Sequence, residues 1–219
     1  MKRIGVLALQ GDFIEHCNVL GRIGVEVVEV RLPYQLKNLD GLIIPGGEST
    51  TIGKLAVAYN LIEPLRQFGQ QHAIWGTCAG AILISKDVRR QQPLLGLMDI
   101  TIERNAFGRQ VASFETDLEV PALQMVDPIA RPYHAIFIRA PLIDSVYGKA
   151  RVLAVLPDGR AVAAQQGKLL ATSFHPELTH DDRFHRYFIS MAEGESSQCI
   201  ETSSGDNAGI RLVKPLGQT

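Results

Sequence analysis

The hydrophobic pattern divides the chain into two regimes. Up to about residue 88, short apolar runs alternate with stretches whose apolar positions recur at helical spacing. Residues 3–9 (RIGVLAL) form a near-continuous apolar run, the mark of a strand buried on both faces. Gln10-Gly11-Asp12 breaks it. Phe13, Cys17, Leu20 and Ile23 then define one face of a helix that Asp12 can cap and Gly24 can end. Residues 25–30 (VEVVEV) and 39–44 predict two more strands, the second closing on Pro45-Gly46-Gly47. Ser49-Thr50-Thr51 opens another helical stretch, and residues 63–68 continue as helix with Pro64 in a first turn. Residues 73–77 form the next strand. This β-α-β-α-β-α order predicts a parallel, doubly wound sheet, in which ligands bind beyond the carboxyl ends of the strands. The breaks at Gln10-Gly11, Pro45-Gly46-Gly47 and Thr77-Cys78 all fall at such ends and are expected to converge on one crevice.

Beyond residue 88 the strand-like runs 98–103, 135–138, 151–156, 161–165 and 169–173 follow one another without long helices between them. Turn sequences such as 156–160 (LPDGR) and Gln166-Gly167-Lys168 separate them. An antiparallel portion joined to the same core is therefore expected, followed by a helix over 181–191. The whole is an α/β fold: a mostly parallel central sheet, helices on both faces, and an additional antiparallel part in the second half. Residues 1–192 are expected to form one domain. From Gly194 the chain turns rich in Ser, Glu and Thr without apolar period, so 193–219 is expected to be a flexible polar tail, with a few apolar residues at 210–216.

Composition narrows the setting. The 219 residues are 46% hydrophobic, enough for a sizeable core, and the net charge of −1 points neither to nucleic acid nor to an anionic membrane. No apolar run approaches the roughly 18 residues of a transmembrane helix, and the N-terminus carries no signal-peptide pattern. Cys17, Cys78 and Cys199 form neither an even framework nor a CxxC pair. A reducing, cytoplasmic setting is expected, without a structural zinc site. His180 with Asp181 and Asp182 matches metal-ligand types but not ligand spacing, and neither a metal nor an organic cofactor is expected.

The stretch from Ile74 to Ala81 carries the chemistry. An apolar run ends in Gly-Thr-Cys-Ala-Gly and a second begins at once, which predicts a strand, a sharp turn and a helix with Cys78 at the apex. Small neighbours let backbone approach the sulfur, as in the strained turns that expose a nucleophile. A buried core cysteine is the plainer reading of the same residue. A nucleophile needs a base, and the base an orienter. His175-Pro176-Glu177 follows the last predicted strand. In an extended segment His175 and Glu177 point the same way, so Glu177 can hold the imidazole tautomer. Gly46-Gly47 can turn a backbone N–H toward a developing oxyanion, and Glu48 and Ser49 add polar groups at a helix start; alone, this pair is also an ordinary turn and cap. His16, His72, His180 and His185 are assigned structural places, and Cys17 a place on a helix face.

Together, PGGEST at 45–50, Gly76-Thr77-Cys78-Ala79-Gly80 and His175-Pro176-Glu177 resemble the class I (triad) glutamine amidotransferases, whose fold is a three-layer, flavodoxin-like α/β sandwich. The finer resemblance, over about residues 1–192, is to the glutaminase subunits of pyridoxal 5′-phosphate synthase. It is carried also by GVLALQG at 5–11, ERNAFGRQ at 103–110, FIRAP at 137–141 and SFHPE at 173–177. This resemblance implies hydrolysis of L-glutamine to glutamate and ammonia, with Cys78 as nucleophile, His175 as base and acid, and Glu177 as orienter. It implies oxyanion donors at Gly47 and Ala79, and glutamine contacts at Gln10, Gly47, Glu48, Ser49, Arg104, Ile138 and Arg139. A guanidinium such as that of Arg104 suits an amino-acid carboxylate. The resemblance further implies a separate (β/α)8-barrel synthase subunit that takes the ammonia within a large hetero-oligomer for vitamin B6 synthesis. It also implies activation by that partner, with the Gly46-Gly47 peptide reorienting. Two departures stand out: residues 120–132 are slightly long for the family, and the tail exceeds its usual end. Other amidotransferase glutaminases, other cysteine hydrolases of similar fold and a non-catalytic glutamine sensor are the alternatives.

Overall fold

The computed structural model describes residues 1–104 and 113–194. The expected tail from 195 onward, Cys199, and residues 105–110 of the ERNAFGRQ segment lie outside the described residues. In chain order the elements are β1 (Arg3–Leu7), α1 (Phe13–Ile23), β2 (Glu26–Val30), β3 (Gly41–Ile44), α2 (Ser49–Ala58), α3 (Ile62–Gln71), β4 (Ala73–Thr77), α4 (Ala79–Ile84), β5 (Ser85–Asp87) and β6 (Met98–Glu103). They continue with β7 (Ser113–Leu118), β8 (Tyr133–Ile138), β9 (Leu142–Val146), β10 (Arg151–Val155), β11 (Ala161–Gln166), β12 (Leu169–Thr172) and α5 (Arg183–Glu193).

The main sheet has the order β2-β1-β3-β4-β12-β11-β9-β6-β5, with β10 paired to β11. From β2 to β12 neighbouring strands run parallel. Beyond β12 the pairings with β11, β9 and β6 are antiparallel, and β5 returns parallel to β6. Strands β7 and β8 form a separate antiparallel pair. The expected division into a parallel first half and a largely antiparallel second half is thus borne out.

Alternation along the central strands sends apolar side chains to both faces. Ile4, Val6, Ile43, Trp75 and Leu170 meet Leu20 of α1 and Phe184, Tyr187 and Phe188 of α5 in one buried cluster. Leu7, Leu42, Ile44, Ile74 and Ala171 meet Ile52 of α2, Leu65 of α3 and the α4 residues in the other. Two covered faces are what near-continuous apolar strands require. At the edge, β2 instead exposes Glu26 and Glu29, charges that discourage pairing with another chain.

Helix ends follow the expected chemistry in part. Gly24 closes α1 in the left-handed region at φ 88°, with its N–H donating to Leu20 and Gly21 carbonyls. Glu48 caps α2, its carboxylate accepting from the N–H groups of Thr50 and Thr51. Asp12 stands at the start of α1 but makes no side-chain cap bond; its carboxylate turns to His175 instead, 3.4 Å from Nδ1. The segment after His175 is not extended as expected: Pro176–Leu178 forms a short 3₁₀ turn, with proline in its first turn where no N–H is needed. Asp181 accepts from the guanidinium of Arg183, Nε at 2.9 Å, rather than standing free as a ligand. Residues 121–125 of the long connection form a 3₁₀ turn between β7 and β8 that packs on α5. Cys17 and Cys78 are both free thiols. Among the described residues no helix is long and apolar enough to cross a membrane.

Two imidazoles are built into the α1–α5–β4 packing. His16 and His185 are completely buried, and Trp75, the chain's single tryptophan, meets both rings edge-on. Burial holds His185 down at about 3, helped by the charge of Arg22; burial, then the charges of His185 and His175, hold His16 well below the ordinary 6.5. Both are neutral in the fold, while the unfolded chain protonates them below about pH 6.5. Their contribution is therefore complete above that pH and is lost as pH falls below it, for His185 down to about 3, by up to about 1.4 kcal/mol per unit for each ring. We expect the urea midpoint followed by Trp75 fluorescence to fall between about pH 6.5 and about pH 5, and to fall less steeply in His185→Phe. Equal slopes in the two proteins would contradict this origin.

Candidate active site

Four parallel strands deliver the site at their carboxyl ends, as expected. Gln10 follows β1, the Gly46–Ser49 segment follows β3, Cys78 follows β4 and His175 follows β12. The register of the last pair explains how Cys78 and His175, distant in sequence, meet. Thr172 pairs with Thr77, and the Cys78 N–H donates to the Thr172 carbonyl at 2.8 Å. On its other side, the His175 N–H donates to the Ile136 carbonyl of β8 at 2.9 Å.

Cys78 occupies the predicted apex with φ 48° and ψ −104°, a backbone state that an L-residue holds only where the surroundings impose it. Glycine makes the turn possible. A Cβ on Gly80 would lie 1.9 Å from the Ile44 carbonyl oxygen, so α4 presses directly on β3. Cys78, His175 and Glu177 are all buried, at 6%, 4% and 5% exposure. His175 Nδ1 stands 2.7 Å from Glu177 Oε1, and Cys78 is near enough to the imidazole to favour its charged form. Burial works to lower the basicity of His175, but Asp12, Cys78 and Glu177 outweigh burial and push it up to about 12. Burial raises the Glu177 carboxyl above its ordinary range, opposed by the bonded His175. Asp12 is held low, first by its bond to His175.

A crevice of about 420 Å³ opens in front of the cysteine, lined by Gln10, Gly47, Glu48, Ser49, Cys78, Ala79, Ile82, Arg104, Arg139 and Pro141. Of the residues expected to contact glutamine, all but Ile138 line it; Ile138 ends β8, 39% exposed. The Gln10 side-chain oxygen accepts from the Glu48 N–H at 2.8 Å, tying β1 to the segment after β3. Glu48 is pulled down to about 2, first by the Thr50 hydroxyl, with the Thr51 hydroxyl and both backbone N–H groups adding to it. It also accepts from Arg104 Nη2 at 3.1 Å, while Arg104 Nη1 donates to Gln92 at 3.0 Å. The guanidinium expected to meet a substrate carboxylate is thus held over the crevice by a carboxylate of the chain itself. Ser49 is buried, and its hydroxyl has no hydrogen-bond partner among the described residues. Arg139 lies in the left-handed region at φ 45°.

The oxyanion candidates have distinct geometry. The Ala79 N–H belongs to the first turn of α4 and has no intrahelical acceptor. The Gly46 carbonyl accepts from the Asp12 N–H at 3.2 Å. In a planar trans peptide the Gly47 N–H then points away from that loop. Gly47 has φ 148°, and a Cβ there would fall 2.6 Å from the Gln10 Oε1 atom.

Two side chains near Cys78, His175 and Glu177 were not foreseen. Asp12 presents a second carboxylate to the His175 ring. His16 Nε2 lies 3.3 Å from Glu177 Oε2, on the face of the carboxylate away from His175. The helical pattern places His16 on α1 but contains nothing that pairs it with Glu177. Asp12, His175 and Glu177 each bring one potential ligand atom within 4.8 Å of the others. The bonds among them make this an acid–base cluster rather than an open ligand set.

A model of the SNO glutamine amidotransferase family matches residues 6–194. The chain belongs to that family. This amidotransferase is 58% identical over 193 residues to a Herpetosiphon aurantiacus protein named pyridoxal 5′-phosphate synthase subunit PdxT, covering 86% of this chain and 99% of the relative. It is 55% identical to the Chloroflexus aggregans protein of the same name, again over 86% of this chain and 99% of the relative. A crystal structure of a glutamine amidotransferase superposes with a TM-score of 0.81 at 49% identity, covering 87% of this chain and 98% of that one. The resemblance drawn from the sequence motifs, and the fold it implied, are borne out.

The second carboxylate on His175 gives this amidotransferase a testable electrostatic feature. We expect Asp12→Asn to lower the pH at which the His175 ring signal titrates by NMR, because Asp12 favours the imidazolium. An unmoved titration would show that Asp12 gives His175 no charge support.

Proposed function

We propose that this chain hydrolyses L-glutamine through Cys78, His175 and Glu177 and passes the ammonia to a pyridoxal 5′-phosphate synthase subunit for vitamin B6 synthesis. Family membership supports the glutaminase activity, and the relatives' shared name supports the pathway. The single observation that carries the residue roles is the grouping of Cys78, which lines the crevice beside Gly47 and Ala79, with His175, whose charge it supports, and with Glu177, 2.7 Å from the imidazole.

In the proposed cycle the proton of the Cys78 thiol resides on His175, and the sulfur attacks the side-chain carbonyl carbon of glutamine. The developing oxyanion is met by the N–H groups of Gly47 and Ala79. As the tetrahedral species collapses, the C–N bond breaks and His175 gives its proton to the departing ammonia. A γ-glutamyl thioester remains on Cys78. Water then attacks it while His175 takes up a proton, and glutamate leaves as the C–S bond breaks. Glu177 keeps the ring oriented and stabilises its charge throughout. Arg104 moves from Glu48 to the α-carboxylate of the substrate, and Ser49 offers its hydroxyl, which has no partner among the described residues. Gln10, Glu48 and the Ile138-Arg139 segment complete the pocket. No metal or organic cofactor takes part.

The partner in this reading is a (β/α)8-barrel synthase in a large hetero-oligomer, working in the cytoplasm, with the 1–192 domain making the glutaminase. Docking reorients the Gly46-Gly47 peptide, so the isolated chain is a weak catalyst. Ammonia release from glutamine, measured with and without the synthase subunit, tests this directly. We expect release to rise when the subunit is added and to vanish in Cys78→Ala. Full activity in Cys78→Ala would refute the nucleophile, and equal release without the partner would refute the activation.

A further inference from the structure

One buried titratable group next to the triad has no part in that cycle. His16 reaches the site from α1 and is wholly enclosed. Its Nδ1 lies 3.0 Å from His185 Nε2 on α5. Its Nε2 lies 3.2 Å from Thr77 Oγ1, on the residue before the nucleophile, and 3.3 Å from Glu177 Oε2. Trp75 of β4 packs edge-on against it, with ring centroids 5.7 Å apart.

The positions of the protons follow from these contacts. Both imidazoles are neutral, so each has one N–H and one lone pair. An ionised Glu177 offers only acceptors, so the His16 nitrogen facing it carries the hydrogen. His16 Nδ1 is then a lone pair, and His185 Nε2 must donate to it. That leaves a bare lone pair on His185 Nδ1, and this atom indeed has no hydrogen-bond partner among the described residues. Glu177 Oε1 is held by His175, whereas Oε2 is buried and makes no directed hydrogen bond among the described residues. Such an oxygen disfavours the charged carboxylate unless a dipole faces it. The Glu177 backbone N–H supports the carboxylate as a whole, and the side-chain nitrogen facing Oε2 is His16 Nε2, at 3.3 Å, which also lies 3.2 Å from the Thr77 hydroxyl.

We propose that His16 is a positioning residue of the glutaminase: its Nε2–H, fixed by donation from His185, faces the outer oxygen of Glu177 and keeps that carboxylate charged and aimed at His175. The inference rests on the triad reading above. The groups facing this cluster come from every element packed on it: His185 from α5, Thr77 and Trp75 from β4, and Glu177 and His175 after β12. Arg22 of α1 acts on His185, and Asp12 and Cys78 act on His175.

The test is the pH profile of glutaminase kcat/KM in the complex with the synthase subunit. It compares wild type, Cys78→Ala, His16→Leu, His16→Gln and His185→Phe. Removing the N–H makes Glu177 easier to protonate, so the acid limb should move to higher pH. We expect His16→Leu to shift it by about one unit and to lower kcat about tenfold near that limb, with KM for glutamine little changed. His16→Gln, whose amide can present an N–H at similar reach, should restore both. His185→Phe should shift the limb in the same direction by less. An unmoved acid limb in His16→Leu overturns the proposal, whether activity persists or falls equally in His16→Gln, because lost packing scales a profile without moving it. If His16→Leu does not fold, the limb of His185→Phe decides by the same criterion. A wild-type complex without glutaminase activity, or full activity in Cys78→Ala, would overturn the triad reading itself, which is a separate result.

Discussion

Between β4 and α4 the chain must reverse within one residue, and Cys78 is that residue. Its backbone stands at φ 48° and ψ −104°, a state costing about 1–3 kcal/mol for an L-residue. The surrounding packing imposes it. A Cβ on Gly76 would lie 2.4 Å from the Gly80 carbonyl carbon, and one on Gly80 1.9 Å from the Ile44 oxygen. Strand, helix and neighbouring strand thus touch backbone to backbone, and no larger residues fit. The same turn sends the Cys78 N–H to the Thr172 carbonyl, which sets the register of β12 and so the place of His175. The proposed nucleophile and its proposed base are located by one constraint.

Electrostatics then decide what the constrained groups can do. His175 is buried, yet carries charge because Glu177 and Asp12 flank it and Cys78 adds to their effect. A buried charge without such partners would be lost by deprotonation. The acid that the proposed cycle needs is therefore charged before substrate arrives. At the mouth, the pair between Glu48 and Arg104 occupies the cation proposed to take the substrate carboxylate. In that reading glutamine competes with an acid already satisfied by two threonines, at a polar entrance to the crevice. The Gly46 carbonyl, held by the Asp12 N–H, couples the proposed oxyanion peptide to the loop that carries the second carboxylate.

Much of this was legible in the sequence because the first half follows strong physical rules. Strands buried on both faces read as apolar runs, and glycine marks the carboxyl ends where the chain turns at the site. β5, β7 and β9 were not foreseen. Ser85–Asp87 is only three residues long and mostly polar, Ser113–Leu118 alternates with a largely exposed face, and Leu142–Val146 carries polar residues within it. Such strands exist through pairing rather than through their own pattern. Asp12 fits an N-cap by position, but its side chain follows the imidazolium rather than the helix. Glu177 reaches His175 from a 3₁₀ turn, which the expected extended geometry does not describe. His16 and His185 are 169 positions apart, so the contact that gives them meaning is purely tertiary.

The central claim is that Cys78 carries the γ-glutamyl group. Acid quench of the complex during glutamine turnover, followed by mass spectrometry of its peptides, tests this most directly. The expected result is a hydroxylamine-labile γ-glutamyl adduct on the peptide containing Cys78, with turnover lost once that thiol is alkylated. An adduct on another residue, or undiminished turnover after alkylation of Cys78, would contradict it.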